Sequence, residues 1–135
     1  MAATYNNLYL DARKRLREAG VEGAQLEARE LVCCAAGKSR EQFYRDMALY
    51  ASDPVEEKLA ELLERRLAGE PVAYLIGEWE FYGLGLDITP DVLIPRMDTE
   101  VLAERAILLA RAAGEGARVL DLCAGSGCIG LAIAS

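Results

Sequence analysis

The sequence has 135 residues, of which 53% are apolar and 27% are charged, enough for one domain or for a small domain and part of another. No uncharged apolar run reaches the roughly 18 residues of a membrane span, and the net charge of −7 argues against nucleic-acid binding through the overall field. The chain has no histidine and its four cysteines lack a metal-ligand spacing, which excludes a Cys/His zinc site and a histidine-based triad.

The first part of the chain is predicted to be helical, because apolar residues recur at spacings of three and four. A first helix is predicted over 5–19, where Gly20 follows, and a second over 26–35, where Gly37 follows. Ser39 and Gln42 form a capping-box pair, which predicts a short third helix reaching Met47.

A fourth helix is predicted after Asp53, which we place at the N-cap with Pro54 at the first helical position. Apolar residues from Val55 to Leu67 line one face, and Gly69 ends the helix. The vicinal pair Cys33–Cys34 is interpreted as small core residues.

Residues 1–69 are therefore predicted to form a helical domain without a catalytic cluster. Such a domain recognises a partner or packs against its own enzyme, and the sequence leaves both roles open. Its aromatic side chains are predicted to lie in the core: Tyr5, Tyr9, Phe43, Tyr44 and Tyr50.

Residues 70–89 are predicted to be a connector. It begins with a short helical turn over 71–77, and strands 78–82 and 86–88 then form a β-hairpin around Gly83–Gly85. A further short strand is predicted at Val92–Ile94. A helix capped by Asp98 or Thr99 follows it and stops at Gly114.

The stretch that follows predicts a strand, a glycine turn and a helix. Val119, Leu120 and Leu122 are predicted to form a buried strand of a parallel sheet. Gly125 and Gly127 allow a sharp turn, and a helix opens at Cys128. This arrangement favours a nucleotide-binding corner at the edge of an open α/β sheet; the alternative is a strand–helix turn that holds no ligand.

Two classes of ligand fit the predicted corner. Gly125, Gly127 and Gly130 match the dinucleotide fingerprint, although its acidic residue, about 20 positions further on, would fall after Ser135. Asp121 in the strand instead favours a ligand with a cationic amino group, such as S-adenosylmethionine. The carboxylate therefore favours a methyltransferase over an oxidoreductase.

Four motifs together resemble the HemK-type glutamine methyltransferases that modify peptide chain release factors. They are Pro71-Val-Ala-Tyr-Leu-Ile-Gly77, Phe81-Tyr-Gly83, Ile94-Pro-Arg-Met-Asp-Thr-Glu100 and Asp121-Leu-Cys-Ala-Gly-Ser-Gly127. The resemblance implies an α/β protein: an N-terminal all-α bundle, a β-hairpin connector, and from residue 90 to 135 the truncated start of a Rossmann-like methyltransferase domain. It implies S-adenosylmethionine as cofactor and a class I release factor as protein substrate. A cytoplasmic location is expected because the sequence shows no secretory signal.

The resemblance also assigns site residues. Asp121 would face the ammonium of the donor, and the other cofactor-binding positions are Leu93, Arg96, Thr99, Cys123, Ala124, Gly125, Ser126 and Gly127. An ion pair of Arg96 with Asp98 or Glu100 is the alternative for that arginine. The sequence departs from the family at Met97, where proline is usual, and at Cys123, where glycine is common. We expect an ordinary backbone conformation at Cys123.

The family places Asn-Pro-Pro-Tyr, which holds the substrate amide, after a later strand, and this sequence does not contain it. We therefore expect an inactive N-terminal fragment with no catalytic residue and no metal site. Two alternatives are an NAD(P)-binding oxidoreductase fragment and a non-catalytic helical binding module.

Overall fold

The computed structural model describes residues 2–135 and divides the chain into two compact units, Met1–Ile76 and Gly77–Ser135. The described residues are mostly helical and contain one small antiparallel sheet. Within residues 2–135, no helix combines the length and the apolar character needed to cross a membrane.

The first unit is a helical bundle organised around its second helix. Its helices are α1 (Tyr5–Glu18), α2 (Ala24–Ala36), α3 (Arg40–Arg45), α4 (Asp53–Leu67) and α5 (Val72–Ile76). Helix α2 packs against each of the other four. The predicted helices are confirmed, and α5 is the predicted turn at 71–77.

The apolar stripes that predicted these helices meet in one core. Leu16 of α1 and Leu31 and Val32 of α2 have no exposed surface, and Phe43 of α3 is 1% exposed. The phenol ring of Tyr9 packs edge-on against Phe43, with 5.8 Å between the ring centroids. Most of the stabilisation of this unit therefore comes from burial of apolar side chains.

The start of α4 differs from the prediction. Asp53 is the first residue of the helix, and the N-cap is Ser52, whose extended backbone (φ −76°, ψ 159°) marks the break in conformation one residue earlier. Neither the predicted Asp53 cap nor a side-chain bond from Ser52 is present; Asp53 can still interact favourably with the helix dipole. Helix α3 also ends earlier than predicted, at Arg45 rather than at Met47.

Two of the five aromatic core predictions are wrong. Tyr5, Tyr9 and Phe43 are buried, but Tyr44 is 52% exposed and Tyr50 is 70% exposed. Helix α3 has only six residues, and Phe43 supplies its buried contact with the core. The exposed Tyr44 hydroxyl accepts a hydrogen bond from Arg29 at 3.1 Å.

The second unit begins with the predicted hairpin. Strands β1 (Glu78–Phe81) and β2 (Leu84–Asp87) pair antiparallel, with Phe81 opposite Leu84. The turn consists of Tyr82 (φ 50°) and Gly83 (φ 76°), so that Leu84 already belongs to the second strand. Two helices follow, α6 (Thr99–Ala113) and α7 (Cys128–Ala134), which pack against each other.

The predicted strands at 92–94 and at 119–122 are not formed in the structure. Val119, Leu120 and Leu122, expected to be buried, are 55%, 85% and 79% exposed. A parallel strand needs neighbouring strands to satisfy its backbone groups. Among residues 2–135, β1 and β2 are the only strands and they pair with each other, so that no parallel sheet exists in the described part of the chain.

Candidate functional site

The glycine-rich loop before α7 has the sharp turn that the sequence predicted. Gly125 (φ 59°) and Gly127 (φ 80°) both lie in the left-handed region, and Gly127 is the N-cap of α7. Glycine adopts this conformation without steric cost. The local sequence therefore determines the path of the loop into the helix.

Cys123 also has a left-handed backbone, with φ 58°, so that the expected ordinary conformation at this position is wrong. For a residue with a Cβ atom this region costs about 1–2 kcal/mol. The family resemblance has glycine as the common residue here, and the structure gives the reason, because glycine would avoid that cost. The thiol of Cys123 is exposed and forms no disulfide.

Asp121 is the acidic residue that precedes the loop, and it is half-buried. Its Oδ2 atom accepts a hydrogen bond from the backbone N–H of Gly130, in the first turn of α7, at 3.2 Å. Its other oxygen, Oδ1, has no hydrogen-bond partner among residues 2–135. One oxygen is therefore held by the protein and one remains able to accept from a ligand.

The remaining loop residues are open to solvent to different degrees. Cys123, Ala124 and Gly125 are exposed, whereas Ser126 and Gly127 are half-buried where the chain enters α7. Among residues 2–135, no side-chain hydrogen bond involves any of these five residues. The loop offers mainly backbone groups to a ligand, as expected of a turn that wraps one closely.

The predicted segment before α6 is the second part of the candidate site. Leu93 is 71% exposed, Arg96 is exposed and Thr99, the first residue of α6, is half-buried. Arg96 forms no ion pair with Asp98 or Glu100 in the described part of the chain. The guanidinium of Arg96 is thus available to a ligand or partner.

The structure does not join these two parts directly. No hydrogen bond or ion pair links segment 93–99 to loop 121–127 within residues 2–135. Glu100 instead accepts a hydrogen bond from the N–H of Tyr82 in the hairpin turn, at 2.9 Å.

Sequence reasoning missed the contact between Asp121 and Gly130. The two residues are nine positions apart, and neither the 3.6-residue helix period nor the two-residue strand period predicts a contact at that separation.

The second unit also has a cavity of about 260 Å³ between α6 and α7, which contains none of the predicted site residues. It is lined by Ile107, Ala110, Arg111, Ala132, Ile133 and Ser135. Within residues 2–135 there is no cluster of three acidic or cysteine side chains that could hold a metal ion.

The described residues thus combine a small helical unit with a following unit that carries a hairpin and an acid-plus-glycine loop. Residues 7–77 match the family model of the PrmC N-terminal domain, which covers more than half of the chain. The chain belongs to this family.

Curated relatives named release factor glutamine methyltransferase match most of the chain. The protein of Vibrio cholerae is 39% identical over 135 residues, which cover 100% of this chain and 46% of that protein. The protein of Haemophilus influenzae is 43% identical over 118 residues, which cover 84% of this chain and 40% of that protein. The protein of Bordetella pertussis is 47% identical over 116 residues, which cover 82% of this chain and 40% of that protein. The resemblance stated from the motifs is confirmed, and the chain spans less than half the length of these relatives.

Proposed function

We propose that this chain is the N-terminal portion of a release factor glutamine methyltransferase. The enzyme would transfer a methyl group from S-adenosylmethionine to the side-chain amide of a glutamine in a class I peptide chain release factor, in the cytoplasm. The similarity to the Vibrio cholerae protein carries the proposal, because it runs through the whole chain and thus includes the Asp121–Gly127 loop as well as the helical unit.

The residues of the loop fit the donor. The unpartnered oxygen of Asp121 would accept from the donor's ammonium, and the exposed backbone of Cys123–Gly127 would follow its methionine part. Leu93, Arg96 and Thr99 would border the same cofactor from the segment before α6. When bound, S-adenosylmethionine supplies an electrophilic methyl group on its sulfonium.

We propose that Val119–Leu122 forms a strand only when further strands of a Rossmann-like domain lie beside it. The supporting observation is the exposure of apolar residues in this stretch, because exposed apolar surface on this scale is typical of an interface. The greater length of the relatives supports the same proposal. Residues 90–135 would then be the start of the methyltransferase domain, residues 70–89 its connector, and residues 1–69 the part that helps to dock the release factor.

The reaction needs groups that this sequence does not contain. An amide nitrogen is a weak nucleophile, so its methylation requires close positioning in a water-poor site and acceptors for the amide hydrogens. The family resemblance assigns those acceptors to Asn-Pro-Pro-Tyr, which is absent from the printed residues. We therefore infer that the 135 residues alone bind the donor weakly and transfer no methyl group.

The oxidoreductase alternative loses its main support. It was favoured by Gly130, the third glycine of the dinucleotide fingerprint. The N–H of Gly130 is occupied by the Asp121 carboxylate in this structure, and a second negative group there would be repelled. A loop of this kind favours a cationic ligand over a pyrophosphate.

Methyl transfer is tested with the full-length protein that carries this sequence, a methyl-labelled donor and a folded release factor. We expect label in the release factor, and none when its target glutamine is changed to alanine. Label that persists in the alanine variant, or no label in either protein, would refute the assignment.

Donor binding is tested separately by calorimetry on the 135-residue chain. We expect a dissociation constant weaker than about 1 mM, because the walls on the ribose and adenine sides are not supplied by these residues. Micromolar binding would show that the pocket lies elsewhere.

A further inference from the structure

Gly130 differs from the other glycines of the chain in what surrounds it. A Cβ atom added at Gly130 would lie 3.1 Å from Oδ2 of Asp121 and within 4 Å of two further atoms of that side chain. At the other glycines an added Cβ atom meets nothing within 4 Å, apart from an ordinary contact of Gly127 with Leu131. The space at Gly130 is thus filled by one functional group, the Asp121 carboxylate.

Backbone conformation does not explain this glycine. Gly130 lies inside α7 and its φ is not in the left-handed region, so that any residue could adopt it. Alanine is the better helix former by about 1 kcal/mol. The absence of a side chain therefore serves the contact with Asp121 rather than the fold of the helix.

Two properties of Gly130 act on the same oxygen atom. Its N–H donates to Oδ2 of Asp121 at 3.2 Å, and its missing side chain allows the carboxylate to come that close. A methyl group at this position would keep the donor but force Oδ2 to move by a few tenths of an ångström. The hydrogen bond from Gly130 and the space left by its missing side chain together set the orientation of the Asp121 carboxylate.

We propose that Gly130 is a positioning residue for the donor's ammonium. It holds Oδ2 of Asp121 so that Oδ1 is left as the acceptor for the cationic amino group. This role rests on the proposed function. The negative charge of the Asp121 carboxylate, held beside the first turn of α7, also gives the site its preference for a cation.

The hydrogen bond itself can be measured by NMR in the 135-residue chain. We expect the amide proton of Gly130 to move upfield in Asp121→Ala and to move less in Asp121→Asn, whose amide oxygen can still accept. The amide of Leu131, which donates to the carbonyl of Gly127, is the internal control and should not move. An unchanged Gly130 resonance in Asp121→Ala would overturn the contact.

The positioning role is tested in the full-length protein with Gly130→Ala and two probes. The probes are S-adenosylhomocysteine and the same molecule without its α-amino group. We expect Gly130→Ala to weaken the first about tenfold and leave the second unchanged, since only the first presents an ammonium to Asp121. Gly85→Ala is the matched control, because its Cβ atom meets nothing within 4 Å and its φ is not left-handed.

The outcomes separate this proposal from the proposed function. Equal weakening of both probes, or no weakening of either, would overturn the positioning role of Gly130 while leaving the methyltransferase assignment intact. If the unaltered protein binds both probes equally, the ammonium contact of the proposed function fails and the role of Gly130 fails with it. Loss of helix α7 would not explain a selective effect, because alanine favours the helix.

Discussion

The two units of the chain bury their apolar residues to very different degrees. In the first unit the apolar faces of the helices meet, and Leu16 and Leu31 are completely buried. In the second unit many large apolar residues are more than half exposed, among them Leu93, Val101 and Leu120. A domain that folds alone must bury the surface that its sequence makes apolar. The first unit meets this requirement within the described residues, and the second does not.

Side-chain caps are found at two helix starts of the first unit. Thr4 caps α1 by accepting from the N–H of Asn7 at 3.1 Å, and Ser39 caps α3 in a complete capping box. In the second unit neither α6 nor α7 has a side-chain bond from its N-cap residue. Helix α7 instead receives the carboxylate of Asp121, from outside the helix. Helices α2 and α4 of the first unit also begin without a side-chain bond from the N-cap, so that local capping is a property of α1 and α3.

The largest effect expected from this difference is on the folding of the separated units. Residues 1–76 expressed alone should give a helical circular dichroism spectrum and a cooperative thermal transition, because their core is complete. Residues 77–135 alone should melt without a cooperative transition. A cooperative transition in the second fragment, or a disordered spectrum from the first, would contradict the comparison.

The same experiment tests where the helical domain ends. The prediction from the sequence was residue 69, and α5 lies after it. Val72 and Ala73 of α5 are buried, and the helix packs against α2 and α4. A fragment of residues 1–69 should therefore melt at a lower temperature than one of residues 1–76. Equal midpoints would show that α5 contributes nothing to the bundle.

The next largest effect is expected for a matched pair of leucines. Leu31→Ala removes a completely buried side chain and should lower the free energy of unfolding by about 2–5 kcal/mol. Leu120→Ala removes a side chain that is 85% exposed and should change it by less than about 0.5 kcal/mol. Urea denaturation of the 135-residue chain measures both. A large loss at Leu120 would mean that this stretch is already packed in solution.

Sequence reasoning succeeded where the determining interactions are local. Helix periods, glycine stops and the capping box at Ser39 act within a few residues, and the structure confirms the helices that they predicted. The hairpin was predicted for the same reason, since its strands are adjacent in the chain. The glycine turn before α7 belongs to this group.

The errors concern interactions that the local pattern does not contain. Apolar runs at 92–94 and 119–122 predicted strands, but a strand also needs a neighbour. The aromatic pattern predicts a core position for Tyr44, but of the six residues of α3 it is Phe43 that is buried. The cofactor residues remain a prediction made from the family resemblance. Within them, only the contact of Asp121 with Gly130 shows how one side chain is held.

A smaller effect on stability is expected from the protonation of Asp46, a buried carboxylate of the first unit. Both of its oxygens accept hydrogen bonds from basic side chains. Arg45 donates to Oδ1 at 3.0 Å and Lys38 donates to Oδ2 at 2.7 Å. The hydrogen bond from Arg45, and next that from Lys38, lowers the pKa of Asp46 from 3.8 to about 2. Asp121, with one oxygen unpaired, is the contrasting carboxylate of the second unit.

Because the pKa of Asp46 is lower in the folded state, its contribution to stability is present above its unfolded value, near pH 4, and is lost as the pH falls towards 2. Asp46→Asn should therefore be less stable than the native chain at pH 7, and this difference should shrink between pH 4 and pH 2. Urea midpoints of both proteins across this range measure the effect. A difference that is independent of pH would show that the charge of Asp46 has no part in it.

The smallest effect concerns the caps, and it tests whether local signals or packing stabilise the first unit. Ser39 and Ser52 both occupy N-cap positions, but only the hydroxyl of Ser39 accepts a backbone hydrogen bond, from Gln42 at 3.2 Å. Ser39→Ala should lower the free energy of unfolding of residues 1–76 by about 1 kcal/mol. Ser52→Ala should lower it by at most a few tenths of a kcal/mol, because no hydrogen bond is lost. If urea denaturation gives equal losses of unfolding free energy for the two variants, Ser52 caps α4 in solution. If Ser39→Ala loses as much unfolding free energy as Leu31→Ala, capping and not the core dominates the stability of the bundle.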